Sequence, residues 1–521
     1  MRLPFILALF SPLVSAQEIK LLPSDGAHNN YFGQSVAISG NTAIVGAFGD
    51  DDNGGFSGSA YLFDIATGAE LTKLLPNDGA SSDQFGRSAA ISGNTAIVGA
   101  PQNDDNGIES GSAYLFDITS GTQLAKLLPS DGALGDLFGC SVAIDGNTAI
   151  VGAYTDDDNG LNSGSAYLFD IASGAQIAKL LPSDGESDDW FGLSVAINGN
   201  TAIVGARLDD DNGLHSGSAY LFDIASGAQI AKLLPSDGAM DDQFGSSVAI
   251  SGNTAIVGAH GDDDNGSDSG SAYLFDATTG AQIIKLLPNN GGTLDGFGYS
   301  VAISGNTAIV GSPYDGDNGS ESGSADLFDI ATGAQLAKLL PSDGASDDNF
   351  GQSVAISGST ALAGATGDDE NGFSSGSAYL FELCTGHVAS YCIASANSIS
   401  ATGAPISLVG LASVSSNNMT LRADSLPPNQ ISLFFCGALK QDPPALFGNG
   451  YRCVGTAGLS RLNPPVSTGS GSTQRALDLT SSPLSNIQAG DTHHFQLWYR
   501  DPAAGGANYN LSDALEITFC P

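Results

Sequence analysis

The residues best suited to chemistry in this 521-residue sequence are carboxylates in seven related loops. Each loop reads DDDNG or a close variant, and successive loops lie 53 residues apart. In most loops two acidic residues flank a third residue, and an asparagine follows. Alternate residues of an extended segment point the same way, so the two carboxylates can converge on one cation. Calcium accepts such oxygen ligands in flexible geometry, and the loops therefore predict calcium as a cofactor.

The predicted ligands hold equivalent positions in the seven loops, and in the second loop Asn103 replaces the first carboxylate. The ligands are Asp50, Asp52, Asn53, Asp105, Asn106, Asp156, Asp158, Asn159, Asp209, Asp211, Asn212, Asp262, Asp264, Asn265, Asp315, Asp317, Asn318, Asp368, Glu370 and Asn371. An EF-hand reading fails, because the position of the first EF-hand ligand holds Gly49, Gln102 or Thr155. The alternative to calcium is a solvated, Asx-rich turn that keeps the protein soluble in salty surroundings.

Other catalytic chemistry has little support in the sequence. The six histidines do not recur between repeats, which favours surface or loop positions for His28, His215, His260, His387, His493 and His494. No serine, cysteine or histidine constellation for nucleophilic catalysis stands out, so we predict no catalytic residues. Paired carboxylates are too abundant for any single pair to indicate an active site.

The loops belong to a repeat that predicts four short strands. The pair Phe-Gly recurs every 53 residues from Phe32 to Phe350, giving seven copies. Strand A reads FGxSVAI, strand B TAIVGA, strand C SGSAYLF and strand D AQIAKLLP, with turn residues between them. Four strands in a repeat of about 50 residues are typical of a β-propeller blade.

The copies of strand D predict how the ring closes. KLLP also occurs seven times, but its first copy, at Lys20, precedes any Phe-Gly. The last repeat ends after Phe381 without a KLLP of its own. We therefore expect residues 18–23 to complete the seventh blade, which leaves no open sheet edge.

Phe85-Gly86 followed by Gly99-Ala100-Pro101 resembles the FG-GAP repeat of integrin α-chain propellers, which also occurs in secreted bacterial proteins. The resemblance covers roughly residues 18–382 and implies a propeller that acts in binding or adhesion. It does not transfer the integrin calcium site, which lies between strands A and B. That connection is only Gly40-Asn41 and its counterparts here.

The strand assignment also predicts an acidic face. The D–A segments and the B–C loops leave the same side of a propeller, and together they hold 38 of the 56 acidic residues. The formal net charge of −40 argues against nucleic acid and anionic membranes as partners. Neighbouring loops would repel one another at physiological salt, so the face should attract cations.

The N-terminus has the pattern of a cleaved signal peptide over residues 1–16, with Arg2, an apolar run and a small-residue cleavage site. No later segment approaches the length of a membrane helix. We expect an exported, secreted or cell-surface protein without membrane insertion, and a monomer. The expected domains are the propeller at 17–382, a linker at 383–391 and a second domain at 392–521.

The C-terminal segment changes in composition and predicts a β-sandwich. Alternating runs such as ISLFF and HHFQLWY are typical of antiparallel strands. Five of the six cysteines lie there, which fits an oxidising compartment. We predict disulfides Cys392–Cys520 and Cys436–Cys453, with Cys140 an incidental thiol.

Two functions remain open from the sequence. The first is a non-catalytic binding or adhesion protein whose acidic, calcium-bridged face meets a protein or a glycan at a cell surface or matrix. The second is an exported hydrolase or lyase that uses a carboxylate cluster on a polysaccharide or an ester. Near-identical repeats favour the first, because seven equivalent sites suit multivalent attachment, whereas catalysis needs a repeat that breaks the symmetry.

Overall fold

The computed structural model describes residues 18–383, 388–392, 396–409, 419–456, 459–469, 471–488 and 491–519. The predicted signal peptide, His387, Cys384 and Cys520 lie outside the described residues. The chain forms two compact units, Glu18–Phe381 and a C-terminal unit from Glu382 onward. Within the described part of the chain, no helix has the length and apolarity needed to cross a membrane.

The first unit is a propeller of seven four-stranded antiparallel sheets, as predicted. Strands A are β2 (Ser35–Ser39), β6 (Ser88–Ser92), β10 (Ser141–Asp145), β14 (Phe191–Asn198), β18 (Phe244–Ser251), β22 (Ser300–Ser304) and β26 (Phe350–Ser357). Strands B are β3 (Thr42–Ala47), β7 (Thr95–Ala100), β11 (Thr148–Ala153), β15 (Thr201–Ala206), β19 (Thr254–Ala259), β23 (Thr307–Ser312) and β27 (Thr360–Ala365). Strands C are β4 (Ser59–Asp64), β8 (Ser112–Asp117), β12 (Ser165–Asp170), β16 (Ser218–Asp223), β20 (Ser271–Asp276), β24 (Ser324–Asp329) and β28 (Ser377–Glu382). Strands D are β5 (Glu70–Leu74), β9 (Thr122–Leu127), β13 (Ala175–Leu180), β17 (Ala228–Leu233), β21 (Gln282–Leu286), β25 (Gln335–Leu339) and, in blade 7, β1 (Glu18–Leu21).

The apolar core lies between neighbouring blades. Strands B and C are buried on both faces, which explains their continuous apolar sequences TAIVGA and SAYLF. One core cluster joins Leu115 and Leu127 of blade 2 to Phe138, Val151 and Phe169 of blade 3. The A strands of neighbouring blades contact one another around the whole ring, which places them innermost.

The ring is closed by the N-terminal strand, as the sequence predicts. Strand β1 pairs antiparallel with β28, with Ile19 opposite Leu380. Leu21 is buried in a cluster that contains Leu362 of blade 7 and Phe32 and Val45 of blade 1. The A strands β2 and β26 are also in contact. Closure therefore joins both ends of the repeat array in one core.

The C-terminal unit is a β-sandwich, as predicted. Its strands are β29 (Val388–Cys392), β30 (Ile406–Val409), β31 (Thr420–Ala423), β32 (Ile431–Gly437), β33 (Lys440–Phe447), β34 (Gly450–Val454), β35 (Ser460–Arg461), β36 (Val466–Ser467), β37 (Thr473–Ala476), β38 (Thr492–Arg500) and β39 (Tyr509–Thr518), with a 3-10 helix at Pro502–Ala504. A six-stranded sheet, in the order β29-β39-β38-β32-β35 with β36 also on β32, faces the three-stranded sheet β30-β31-β37. Phe434 and Leu497 of the first sheet share a core with Ile406 and Leu421 of the second. Strand β29 overlaps the linker expected at 383–391.

The predicted disulfide pairing is wrong. Cys392 is bonded to Cys453, and Cys436 is a free, buried thiol. Alternation along β32 explains the error, because Cys436 faces the main core whereas its neighbour Phe435 contacts Val454 on the opposite face of the sheet. The hairpin β33-β34 therefore presents Cys453 away from Cys436, and β29 supplies the partner.

Closure by β1 predicts equal costs for equivalent leucines. Leu21 and Leu74 hold the same position of strand D, and each is 1% exposed or less. We expect L21A and L74A each to lower the free energy of unfolding by roughly 2–5 kcal/mol, because each leaves a cavity between blades. Chemical denaturation of both variants checks this. An unchanged L21A beside a destabilised L74A would show that β1 does not close the ring.

Candidate functional site: lysine clusters and an axial cluster

Each blade turns its loop carboxylates toward one lysine. In blade 3, Nζ of Lys179 lies 2.9 Å from Oδ2 of Asp131, 3.0 Å from Oδ2 of Asp156 and 2.6 Å from Oδ2 of Asp158. The Tyr167 hydroxyl donates a 2.7 Å hydrogen bond to Asp156, and the ammonium lies 5.0 Å from the centre of the same ring. The D–A segment, the B–C loop and strands C and D thus meet in what we call the lysine cluster.

The lysine cluster recurs in every blade, and β1 supplies the lysine of blade 7. Its charged members are Lys73 with Asp25, Asp50 and Asp52; Lys126 with Asp78 and Asp105; Lys179 with Asp131, Asp156 and Asp158; Lys232 with Asp184, Asp209 and Asp211; Lys285 with Asp237, Asp262 and Asp264; Lys338 with Asp315 and Asp317; and Lys20 with Asp343, Asp368 and Glu370. In blade 2, Asn103 Oδ1 accepts a hydrogen bond from Lys126 at 3.3 Å. Strand closure therefore also completes the seventh cluster.

The loop asparagines do not join the two carboxylates. The backbone N–H of each of them donates to the serine hydroxyl four residues later, as Asn159 does to Ser163 at 3.0 Å. The amides reach the following D–A segment, where Asn212 and Asn318 lie 3.5 and 3.4 Å from the carbonyl oxygens of Pro235 and Pro341. Their role is to fix the loop against the next blade.

This donor set does not fit a resident calcium ion. Calcium takes six to eight oxygen ligands. The carboxylates of each loop instead converge on an ammonium that already supplies a positive charge, and the asparagine amide nitrogens lie against the D–A segment. Among the described residues, no group of three or more His, Cys, Asp or Glu side chains is placed to hold a metal ion. Calcium at these carboxylates stays a prediction, in competition with lysine.

Within the lysine cluster, pKa values are shifted in the direction that favours the charged forms. Burial by itself would lower the pKa of Lys179, but hydrogen bonds to Asp158, Asp131 and Asp156 outweigh it and raise the pKa above 10.5. Burial alone would raise the pKa of Asp131, yet Lys179 holds that pKa below its ordinary 3.8. The ion pair between Lys179 and Asp131 therefore stays charged throughout the physiological pH range.

In six of the seven blades a further aspartate lies behind the lysine cluster without a cation of its own, and it is buried in all of these except blade 6. Asp136 accepts a hydrogen bond from the backbone N–H of Ala133, but burial and then the charge of Asp156 raise its pKa to about 6. Blades 1 and 2 avoid this pair of acids: Asn30 donates to Asp50 at 3.3 Å, and Asn103 donates to Asp83 at 3.2 Å. In blades 3–7 both positions are aspartate. A carboxyl that keeps its proton at mildly acidic pH can replace the amide.

Blade 6 breaks the pattern inside strand C. Asp326 stands where every other blade has a buried tyrosine, and it is only 1% exposed. Its Oδ1 accepts a hydrogen bond from Gln335 Nε2, while Oδ2 is buried without a hydrogen-bond partner among the described residues. Burial raises its pKa to about 7, against the attraction of Lys338. The missing hydroxyl leaves a carboxyl that favours its neutral form.

The acidic loops form one face, as the strand order predicts. In blade 1 the B–C loop carbonyls of Gly55 and Phe56 accept hydrogen bonds of 2.9 and 3.0 Å from Ser82 and Gln84 of the next D–A segment. The carboxylates of the lysine clusters are neutralised, but the central loop acids, such as Asp51 and Asp157, are exposed and pair with no lysine. The exposed acids therefore set the charge of this face.

The sequence analysis missed a second group of residues, at the positions where the blades differ. The residues before and after Phe-Gly and the one or two after Gly-Ala vary between blades while their neighbours repeat. They flank the start of the innermost strand and the end of strand B. We call the following residues the axial cluster: Tyr31, Phe48, Arg87, Tyr154, Trp190, Arg207, Gln243, His260, Tyr299 and Tyr314. Variation confined to fixed positions of a repeat was the available signal.

The residue before Phe-Gly adopts a left-handed backbone in every blade. Its φ is between 52° and 58° in the six blades where it is not glycine, including Trp190 and Tyr31. Bulky residues pay on the order of 1 kcal/mol or more for this conformation, which glycine adopts freely. Only blade 6 has glycine, Gly296, and there Tyr314 lies 3.1 Å from where its side chain would begin. The same left-handed backbone also occurs at other non-glycine residues of the D–A segments and B–C loops, such as Ser82 and Glu109, so it belongs to the loop architecture of every blade.

Axial residues contact one another from blade to blade. Tyr31 stacks on Phe48 with ring centres 5.0 Å apart, and the Arg87 guanidinium lies 5.2 Å from the centre of the Phe48 ring. The rings of Tyr154 and Trp190 lie 5.2 Å apart. On the other side, Tyr299 contacts His260 at 5.5 Å and Tyr314 at 5.9 Å between ring centres. The aromatic side chains form two arcs.

The two arginines of the propeller lie in this cluster, and both are free of ion pairs. All seven lysines between residues 18 and 383 belong to lysine clusters, whereas Arg87 and Arg207 form no ion pair with any described residue. Arg207 is partly buried, its guanidinium lies 5.9 Å from the Trp190 ring, and its Nε–H has no hydrogen-bond partner in the described part of the chain. Burial lowers its pKa below 12.5. The axial cluster therefore holds the unneutralised cations of an acidic propeller.

Two of the histidines depart from the expected surface positions. Burial, and then the charge of Arg207, lowers the pKa of His260 to about 4, so the ring is neutral. His494 is 5% exposed and lies 5.2 Å from the ring centre of Tyr391 in the C-terminal unit. His215 is exposed, as expected, 3.2 Å from Asp241. The free thiol Cys140 is partly buried and burial raises its pKa to about 11, so it is not a nucleophile at neutral pH.

The lysine clusters predict a difference between blades 2 and 3. K179M leaves Asp156 buried without its cation, whereas K126M leaves the neutral Asn103 in the same position. Removing one partner of a buried pair costs roughly 3–5 kcal/mol, so K179M should lower the free energy of unfolding clearly more than K126M. Urea denaturation of both variants measures the difference. Equal losses would show that the buried aspartate does not depend on its lysine.

Asp326 predicts a pH-dependent difference between the wild type and D326N. Its pKa is about 7 in the folded state and 3.8 ordinarily, so the folded state binds one more proton between those values. Stability from this group is complete below pH 4 and falls by up to about 1.4 kcal/mol per pH unit toward pH 7. The D326N side chain can still accept the hydrogen bond from the Gln335 amide, but it carries no charge at any pH. We expect D326N to melt above the wild type at pH 8, with the gap closing toward pH 4; a pH-independent gap contradicts the assignment.

A family model described as FG-GAP repeat matches seven consecutive segments of the chain, residues 16–63, 69–116, 122–169, 175–222, 228–275, 281–328 and 334–381. A search of curated proteins gives no match. The matched segments run from strand D of one blade to strand C of the next, so the first of them begins at the strand that closes the ring. The resemblance drawn from Phe-Gly and Gly-Ala-Pro is confirmed, and the chain belongs to the FG-GAP repeat family.

Proposed function

We propose that this is an exported, non-catalytic binding or adhesion protein whose acidic propeller face meets a protein or glycan at a cell surface or matrix. The observation that carries the proposal is the sevenfold repetition of that face. Six of the seven blades present an exposed acid at the position of Asp51, beside a neutralised lysine cluster, and blade 6 has Gly316 there. Identical weak sites around a ring suit a multivalent partner, because linked contacts add as avidity.

The carboxylates support binding better than catalysis. A catalytic carboxyl pair needs distinct pKa values and access to substrate. The inner aspartates that have raised pKa values, such as Asp136 and Asp189, are about 6% exposed. Asp326, whose pKa is nearest neutrality, is also sealed within the sheet. The carboxyls with suitable pKa values therefore lie behind other residues.

Calcium enters the proposal as a bridging ion. The exposed acids, such as Asp51, Asp157 and Asp210, lie at the loop surface and can share a cation with an anionic partner. A bridging ion needs ligands from both molecules, so it does not displace the lysines. A secreted location fits this arrangement, since extracellular modules typically bind calcium at about 10⁻⁴–10⁻³ M.

Two charge-matched variants of the full chain test the proposal. One removes four exposed acids from the acidic face, with the substitutions D51N, D157N, D210N and D263N. The other removes four acids from the C–D turns at the opposite ends of the same blades, with the substitutions D64N, D170N, D223N and D276N. Binding is measured on an array of glycans and matrix proteins, in millimolar calcium or in a sodium salt of equal ionic strength.

We expect the wild type to bind a surface component in calcium, the first variant to lose at least tenfold in apparent affinity, and the second to keep it. Equal losses in both variants would assign the effect to net charge. Equal binding in calcium and sodium would remove calcium from the proposal. Turnover of a polysaccharide or an ester that a single carboxylate substitution abolishes would replace binding by catalysis.

A further inference from the structure

The axial cluster contains the positions at which the seven repeats differ most from one another. Positions in the blade cores are nearly invariant, yet bulky residues occupy strained backbone at the axial positions where glycine would be sterically free. Three buried polar atoms in this cluster, on Arg207, Gln243 and His260, have no hydrogen-bond partner among the described residues, and they indicate a binding site.

We propose that the axial cluster binds a uronic-acid residue of a glycan, with the sugar carboxylate on Arg207 and the pyranose ring against Trp190. The proposal rests on the binding function above and names its ligand class, but it does not depend on calcium. The site is distinct from the lysine clusters, since none of its residues belongs to one.

Arg207 requires an anion. Its Nε–H is buried and unpartnered, and no carboxylate in the described part of the chain forms an ion pair with it. A carboxylate that binds side-on to Nε–H and one Nη–H forms two parallel hydrogen bonds. The net charge of −40 disfavours a long polyanion, because it repels such a chain over several ångströms. A short ligand that presents one carboxylate to Arg207 meets both conditions.

The other orphaned groups favour a sugar over an acidic side chain. Gln243 Oε1 and His260 Nδ1 are buried polar atoms without partners among the described residues. Gln243 Oε1 needs a donor, which a carboxylate lacks and a sugar hydroxyl supplies. The tilted pair Tyr154 and Trp190, with an interplanar angle of 57°, offers flat apolar surface for the C–H face of a pyranose. A uronic acid combines carboxylate, hydroxyls and an apolar face in one residue.

Intrinsic fluorescence of the full chain tests the site directly. The protein has two tryptophans, Trp190 and Trp498, so W190F removes the axial signal and leaves the other. Wild type, R207Q, R207K and the control R500Q are titrated with tri-galacturonate and with its neutral methyl ester. R500Q removes the same charge from the C-terminal unit. Melting curves in each case establish that the variant is folded.

We expect saturable quenching by tri-galacturonate with a Kd of about 1 mM or tighter, absent in W190F. The neutral ester should bind at least tenfold more weakly. R207Q should lose at least tenfold in affinity, R207K should lose part of it because the fork of N–H donors is gone, and R500Q should match the wild type.

Saturation that R207Q leaves unchanged overturns the proposal, as does equal binding of the acid and its ester. Stronger binding of an acidic tripeptide than of tri-galacturonate would reject the sugar assignment. The array experiment separates this failure from that of the proposed function. Array binding retained by R207Q but lost on removal of the exposed acids would leave the acidic face in use and the axial site disproved.

Discussion

The whole propeller depends on how closely the backbones of neighbouring blades approach one another at two glycines. A side chain added at Gly99 would begin 2.0 Å from the carbonyl oxygen of Gly139 in the next blade. One added at Gly86 would begin 2.2 Å from the carbonyl oxygen of Ser59 in the preceding blade. These contacts bring Phe85 and its counterparts into the interblade core, where each is fully buried. The Phe-Gly and Gly-Ala pairs are therefore two sides of one interface.

That interface also determines the electrostatics. With blades so close, the acidic D–A segment and B–C loop must share space, and seven carboxylate pairs would otherwise repel one another at short range. The lysine of strand D reaches both segments, so each pair is neutralised within its own blade. Blade 7 lacks this lysine until β1 supplies Lys20 from the other end of the array. Closure of the sheet and neutralisation of the acids are thus achieved by the same strand.

The repeats made the propeller predictable from the sequence. The candidate site depends on side-chain contacts that the spacing of the repeats does not show. A 53-residue period, four strand patterns and a displaced KLLP were enough to predict seven blades and their closure. The convergence of Asp50 and Asp52 also followed from alternation, but the ion between them did not, because nothing in the spacing showed that Lys73 would reach both. In the C-terminal unit no repeat constrained the pairing of the cysteines. Cys392 is bonded to Cys453, whose position relative to Cys392 could not be predicted from the alternation of side chains along a strand.

Residues between the blades are nearly the same in every repeat, whereas those of the axial cluster differ. We infer that the first group maintains the fold and that the second is available for function. Any substitution in an interblade position is tested by packing on both faces, so these positions stay alike from blade to blade. Axial residues belong to none of these interblade core clusters, and they are free to differ in chemistry. The two cations not used in neutralising the loops, Arg87 and Arg207, lie there beside aromatic rings. Substitutions in the axial cluster can therefore change binding specificity without altering the interblade residues that keep the ring rigid.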